Sequence, residues 1–149
     1  MPLDRSWLLT HLPHQGSMCL LERVEAWDGQ HIRCTAGSHR REDNPLRAGG
    51  RLGVACGIEY AAQSMAAHGA LLLAGDQAPR AGYLTSVRSV MLSVDRLDDI
   101  ASDLLVEAER LSGDENNILY GFSVSAAGRE LLSGRATVVL DTDKLGKSP

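Results

Sequence analysis

The 149-residue chain has few aromatic side chains, few cysteines and no long apolar run. Aromatic residues make up 4% of the chain, so aliphatic side chains must pack the core. The three cysteines, Cys19, Cys34 and Cys56, are an odd number without a Cys-x-x-Cys spacing, which argues against a disulfide framework and a zinc site. Each lies in an apolar stretch, and we expect all three to be small buried side chains.

An excess of positive charge is also missing. The formal net charge is -4, so no basic stripe favours nucleic acid. No apolar stretch reaches the length of about 18 residues that a membrane helix needs, and the N-terminus lacks a signal-peptide pattern. We therefore expect a cytoplasmic protein without nucleic-acid or membrane partners. Its length predicts a single domain over residues 1–149, with a polar tail at about 141–149.

The apolar pattern predicts two strands, one long helix and then about four more strands. A short helix or turn at 3–10 precedes the first strand, and Asp28-Gly29 marks a hairpin between strands one and two. A polar, arginine-containing loop at 40–51 separates the second strand from the helix at 52–74. The strands are predicted at 18–27, 31–38, 83–94, 103–111, 118–126 and 130–140.

This order predicts an α+β protein with the hotdog fold, in which a curved antiparallel sheet of about six strands wraps round one central buried helix. A ferredoxin-like fold with the helices outside the sheet is the alternative. It requires a second helix, for which 103–111 is the candidate because its composition also suits a helix.

The helix at 52–74 carries small or apolar residues on nearly every face, which is typical of a buried helix. Glu59 lies inside this helix, and we expect desolvation to raise its pKa toward the working range of a general acid. The alternative is a structural Glu paired with a nearby arginine. Gln63 lies one turn further on the same face, where its amide can bond the Glu59 carboxyl or a ligand.

Among the histidines, His39 stands where the second strand ends, beside the arginine-containing loop, and is a candidate base. His14 follows Leu12-Pro13 in an early turn, and we expect His68 to be a packed helix histidine. The predicted helix start at Leu52-Gly53 offers free backbone N–H groups, which stabilise an oxyanion.

Three segments resemble the β-hydroxyacyl-acyl-carrier-protein dehydratases: LPHQGSMCLLERV at 12–24, GIEYAAQSMA at 57–66 and AGYLTSVRSV at 81–90. With the NPLR block at 44–47, they are most similar to the smaller ApeP-like dehydratases encoded with aryl-polyene biosynthesis. The Gly-His-Phe loop typical of the larger family is absent. In its place, Ser38-His39-Arg40 leads into a longer loop whose one proline is Pro45.

The resemblance implies dehydration of a 3-hydroxyacyl thioester on acyl carrier protein to the 2-enoyl thioester, in fatty-acid or aryl-polyene biosynthesis. Glu59 would protonate the departing hydroxyl, while His39 of the other subunit in a dimer would remove the α-proton. The resemblance implies no metal and no cofactor beyond the phosphopantetheine of the carrier.

The resemblance also implies substrate contacts by Gln63, Gly53 and Asn44. Carrier-protein contacts are expected from nearby arginines, namely Arg40, Arg41 and Arg47, with Arg51 and Arg88 as further candidates. The expected assembly is a homodimer or higher oligomer, or a hetero-oligomer with another dehydratase. Two alternatives remain: a hotdog thioesterase whose helix carboxylate is base or nucleophile, and a non-catalytic subunit that binds acyl carrier protein or a partner dehydratase.

Overall fold

The computed structural model describes residues 2–72, 82–114 and 116–140. Two strands, a long helix and four strands follow one another as predicted, after a short first helix. The elements are α1 (Arg5–His11), β1 (Arg23–Trp27), β2 (His31–Ala36), α2 (Gly57–Leu72), β3 (Gly82–Leu92), β4 (Leu104–Gly113), β5 (Asn117–Ala126) and β6 (Arg129–Leu140). The predicted polar tail at 141–149 lies outside the described residues.

The six strands form one sheet in the order β1-β2-β4-β5-β6-β3, and all neighbours are antiparallel. Helix α2 packs on β2, β4 and β5. Alternate residues of these strands point toward it, so that Val106 and Val124 are fully buried. This is the predicted hotdog architecture. Residues 103–111 belong mainly to strand β4, which removes the second helix that the ferredoxin-like alternative required.

The two largest differences from the predicted boundaries have a physical reason. Residues 18–22 precede β1 instead of belonging to it, because a 3₁₀ turn at Gly16–Met18 leads into a stretch whose backbone bonds to side chains. Helix α2 begins at Gly57, after another 3₁₀ turn at Val54–Cys56. The residues before that turn bridge to the segment after β3, since Gly53 pairs with Arg96 and Leu97 N donates to the carbonyl of Leu52 at 2.8 Å.

Gly57 permits a close approach between the first turn of α2 and β6. A Cβ atom at this position would lie 2.5 Å from Leu132 Cδ2, well inside van der Waals contact. Leu132 is fully buried and has little room to withdraw. The missing side chain at Gly57 therefore sets how closely α2, and Glu59 two residues on, lies against the sheet.

The single chain leaves part of α2 and most of β3 uncovered. Ile58, Ala62 and Ala66 follow one another along a half-exposed face of α2, so the prediction of a helix buried on every side is wrong for the isolated chain. On β3, Met91 is 64% exposed and Leu92 50% exposed. The open face of α2 is apolar, and β3 exposes large apolar side chains among polar ones, which is unusual for a side that faces only water.

The three cysteines are free. Cys19 and Cys34 are buried as predicted, whereas Cys56 is half-buried. Among the described residues, no helix combines the length and apolarity that crossing a membrane requires.

Candidate active site

Glu59 and His14 approach each other at the start of α2. Glu59 lies in the first turn of the helix, and its Oε2 is 3.8 Å from Nε2 of His14. The Glu59 side chain is 43% exposed and that of His14 is 25% exposed. The predicted burial of Glu59 is therefore wrong for the isolated chain. The helix dipole favours a carboxylate in the first turn, and the neighbouring imidazole gives this position a proton donor and acceptor within one substrate's reach.

The segment that carries His14 is fixed by side chains on both sides. The Arg5 guanidinium donates to the carbonyls of Gly16, Cys19 and Leu21 at 2.9–3.1 Å. Gln15 Nε2 donates to two backbone carbonyls at and just after the end of α1. Because these bonds replace a regular helix or strand, the chain around His14 has a defined path without secondary structure.

Gln63 fixes the same segment from the helix side. It is fully buried, its Oε1 accepts from Leu20 N at 2.9 Å, and its Nε2 donates to Met18 O at 2.8 Å. The predicted hydrogen bond from Gln63 to Glu59 is wrong, because the amide is directed at the backbone of 18–20. Gln63 thus acts on the site through the chain that follows His14, and its predicted substrate contact stays a prediction.

His39, the predicted base, lies inside the protein. It sits in a 3₁₀ turn at Ser38–Arg40, is fully buried, and donates from Nε2 to the Ile100 carbonyl at 3.0 Å. Its Nδ1 is buried without a hydrogen-bond partner among the described residues. Burial lowers the pKa of His39, which favours the neutral ring. His39 makes no ion pair with Glu59 in the described part of the chain, and their meeting across a dimer stays a prediction.

Tyr60, which the sequence did not single out, connects α2 to the loop that carries His39. Its hydroxyl is 2.8 Å from Ser38 Oγ and accepts from Asn44 Nδ2 at 3.0 Å. The side chain is fully buried, and this burial raises the pKa of Tyr60. A large aromatic residue directly after Glu59 in an aromatic-poor chain was the available signal.

Asn44 is occupied by the loop that it belongs to. Besides Tyr60, its Nδ2 donates to Ser38 O at 2.9 Å, and its Oδ1 accepts from Leu46 N at 2.8 Å. The side chain is almost completely buried. These bonds give Asn44 a structural role in the single chain, while its predicted contact with substrate stays a prediction.

The backbone around Gly53 is not the start of the long helix. Leu52 N donates to the Asp98 carboxylate at 2.8 Å, so one of the predicted oxyanion amides is occupied. Arg96 pairs with the same carboxylate, and together these contacts hold the pKa of Asp98 well below its usual range. The Gly57 N–H at the start of α2 bonds to carbonyls of the preceding 3₁₀ turn, so an oxyanion contact by the backbone of this region stays a prediction.

The arginines predicted to bind a carrier protein have partners within the chain. Arg40 forms an ion pair with Asp103, and Arg41 pairs with Asp43 at 2.9 Å. Arg47 donates to backbone carbonyls of the same region, at 3.2 Å for Gly50 O and at 3.4 Å for His39 O. These contacts order the loop, and carrier binding by its arginines stays a prediction.

His68 is a packed core histidine, as predicted. It is fully buried, with Nδ1 2.7 Å from Tyr120 Oη and Nε2 2.8 Å from the Asp28 carbonyl. Both ring nitrogens are therefore used inside the protein. Within the described ranges, no group of three or more His, Cys, Asp or Glu side chains is arranged to hold a metal ion.

The six-stranded antiparallel sheet packed on one long helix defines a hotdog-fold protein. The sequence profile of the ApeP-like family, described as ApeP dehydratase, matches residues 8–146. The chain therefore belongs to the ApeP-like dehydratase family.

Solved structures agree with this fold. The dehydratase heterocomplex ApeI:P from Xenorhabdus doucetiae has a chain that is 24% identical, with a TM-score of 0.78 and 93% of each chain covered. A mutant thioesterase from Pseudomonas aeruginosa is 14% identical, with a TM-score of 0.66, covering 92% of this chain and 93% of that one. Zebrafish thioesterase superfamily member 2 is also 14% identical, with a TM-score of 0.64 and coverage of 91% and 94%. No curated protein matches the chain in sequence.

Proposed function

We propose that this chain removes water from a 3-hydroxyacyl thioester carried on acyl carrier protein and forms the 2-enoyl thioester, in the cytoplasm. The observation that carries the proposal is the accessible Glu59 carboxyl in the first turn of α2, with an imidazole 3.8 Å away, in a member of a dehydratase family. In its protonated form Glu59 gives its proton to the β-hydroxyl, which leaves as water, while a base removes the α-proton.

The uncovered apolar face of α2 supports an acyl substrate. Ile58, Ala62 and Ala66 begin beside Glu59 and continue along the helix. Burial of these side chains against an acyl chain is favourable by about 25 cal/mol for each Å² removed from water. The thioester would then lie at the Glu59 end, with the alkyl part running toward the end of the helix.

An acidic carrier protein would approach from the loop at 40–51. Arg40 and Arg41 are exposed to solvent even though each has a carboxylate partner, and Arg51 is exposed as well. Positive groups at the rim of a site speed the encounter with a negatively charged partner. No other cofactor enters the proposal, because the thioester itself activates the α-proton.

Replacing Glu59 with glutamine tests the proposed function. Gln has nearly the same shape but no acidic proton, so we expect turnover of a 3-hydroxyacyl carrier protein to fall by about 1,000-fold with the fold unchanged. Formation of the 2-enoyl product is followed by mass spectrometry of the loaded carrier. Glu109→Gln, on the outer face of β4, is the matched control. Near-wild-type turnover in Glu59→Gln would refute the assignment, and release of free thiol instead of enoyl product would indicate a thioesterase.

We further propose that β3 pairs with a second hotdog subunit, either another copy or a related dehydratase. β3 is one of the two edge strands, so one side of its backbone lacks a neighbouring strand within the described sheet. Unlike the five-residue edge strand β1, it is 11 residues long, and it exposes Leu84, Met91 and Leu92. The ApeI:P structure is itself a heterocomplex by its description. An exposed apolar edge of this kind favours association over the monomer.

Leu92→Glu should separate the subunits. We expect the purified chain to be a dimer and the variant to be a monomer, because a carboxylate would be buried without a partner at the contact. Leu111→Glu, at a residue of similar exposure on β4, is expected to leave the dimer intact. Light scattering measures the molar mass, and hence the oligomeric state, of the wild-type chain and both variants. A monomeric wild-type chain would exclude the homodimer, and a dimeric Leu92→Glu variant would place the contact elsewhere.

A further inference from the structure

We infer that His14 is the base that works with Glu59, so that one chain supplies both halves of the reaction. The inference rests on the proposed function and names a residue for which the sequence offered only an early turn. Nε2 of His14 lies 3.8 Å from Glu59 Oε2. At this separation both groups can face a substrate from the same side, so that the imidazole would meet the proton on the α-carbon and the carboxyl the hydroxyl on the neighbouring β-carbon.

His14 differs from the other histidines in what its ring contacts. His11 bonds through Nδ1 to the Trp7 carbonyl, His39 bonds to the Ile100 carbonyl, and His68 uses both nitrogens in the core. His31, at the start of β2, lies within ion-pair distance of two carboxylates, at 3.5 Å from Asp28 and 3.4 Å from Glu109. The His14 ring has no hydrogen bond to any described residue. Its Nδ1 is buried without a partner, as is Nδ1 of His39, but His39 is fully buried and uses its other nitrogen, whereas the His14 side chain is 25% exposed. Buried polar atoms without a partner are exceptional and are found at functional sites.

The surroundings of His14 hold it in place without consuming its ring. Arg5, Gln15 and Gln63 all bond to backbone groups of 9–21, on both sides of His14 in the sequence. Rigid support by neighbouring polar side chains, with the reacting group left free, is the arrangement that catalysis requires. By contrast, His39 is fully buried, so a substrate cannot reach it in the isolated chain.

The reaction then balances within the pair. His14 Nε2 takes the α-proton, and the C–H electron pair becomes the second bond between the α- and β-carbons. The C–O bond breaks as Glu59 gives its proton to the hydroxyl, which departs as water. The pair is left as an imidazolium and a carboxylate 3.8 Å apart, and return of the proton to Glu59 restores the starting state.

A substrate that needs a base but no acid separates the two roles. A 3-chloroacyl thioester loses chloride as an anion, so its elimination depends on α-proton removal alone. We expect His14→Gln to lower kcat/KM by about 1,000-fold for both the 3-hydroxy and the 3-chloro substrate. Glu59→Gln should lower the rate by about 1,000-fold for the 3-hydroxy substrate and by less than about 10-fold for the 3-chloro substrate. If the two residues formed only a structural ion pair, each variant would lower the rate by the same factor for both substrates.

The histidine variants complete the test. His39→Gln keeps an N–H donor for the Ile100 carbonyl and is compared directly with His14→Gln, while His11→Gln is the control on α1. Circular dichroism establishes that each variant is folded, and His14→Asn is a second replacement at the same position. Normal turnover in folded His14→Gln, with loss in His39→Gln, would overturn the inference and leave the proposed function standing. A wild-type chain without enoyl product would instead refute the proposed function.

Mixing variants distinguishes a site within one chain from a site shared between chains. If His14 and Glu59 act within one subunit, mixed dimers of Glu59→Gln with His14→Gln stay inactive, because each site lacks one group. Recovery of activity on mixing Glu59→Gln with His39→Gln would show a site shared between subunits with His39 as the base, and would overturn the inference.

Discussion

Replacing Gln63 with leucine is expected to lower the free energy of unfolding by about 1–3 kcal/mol, which is the cost of one buried backbone group left without a partner. Leucine fills nearly the same volume, but it leaves Leu20 N unpaired in the interior and removes the partner of the carbonyl of Met18, an exposed residue. The chain after His14 then loses its attachment to α2. We expect turnover to fall by about 100-fold as well, because a displacement of about 1 Å at a reacting group has an effect of that size.

Gln15→Leu is the matched control for this prediction. Gln15 also bonds to backbone carbonyls beside His14, but it is exposed, so water replaces the lost contacts. Its unfolding free energy should change by less than about 0.5 kcal/mol. Chemical denaturation measures the stability of both variants, and kinetics are taken at a temperature where both are folded. Full turnover in a destabilised but folded Gln63→Leu would show that the site does not depend on the path of 18–20.

The fold was predictable from the sequence because its signals are local. Each signal depends on residues close together in the sequence. These signals are the alternating residues in β5 and β6, the Asp28-Gly29 hairpin and the small residues of α2. Where side chains organise the backbone, this local signal failed. Residues 18–22 look like a strand in composition, yet Arg5 and Gln63 supply the hydrogen bonds that a neighbouring strand would otherwise provide.

The sequence predicted the candidate site only in part, because the burial of a side chain cannot be predicted from the composition of its helix alone. Glu59 was expected to be buried since its helix is apolar on nearly every side. The structure shows that the same composition also suits a helix with one face covered by its own sheet and another left open, as Ala62 and Ala66 are half-exposed. A sequence pattern records that a face is apolar, but it does not record which chain or ligand covers it.

His14 and Tyr60 were missed for a related reason. The contact between His14 and Glu59 joins positions 45 residues apart, and no periodicity connects a turn after α1 with the start of α2. The residues of the GIEYAAQ segment on α2 differ in which part of the chain they contact. Tyr60 bonds the 38–44 segment and Gln63 the 18–20 segment, while Glu59 faces the imidazole between α1 and the first 3₁₀ turn.

Gly57→Ala and Gly69→Ala are expected to change stability in opposite directions, although both add one methyl group to α2. At Gly57 the new Cβ would lie 2.5 Å from Leu132 Cδ2, and overpacking of this kind costs about 1–3 kcal/mol. At Gly69 no heavy atom of the described residues outside the local helix backbone lies within 4 Å, so alanine should stabilise the helix by about 0.5–1 kcal/mol. Thermal and denaturant unfolding of the two variants measures the difference.

A double-mutant cycle with Leu132→Ala tests whether the collision is the cause. Removing the leucine side chain is itself destabilising by about 2–5 kcal/mol, but in that background Gly57→Ala should no longer cost anything, because the space is free. An equal cost in both backgrounds would contradict the packing argument. Since Gly57 lies two residues before Glu59, the displaced first turn of α2 in the single variant should also lower turnover, and the Leu132→Ala background should restore part of it.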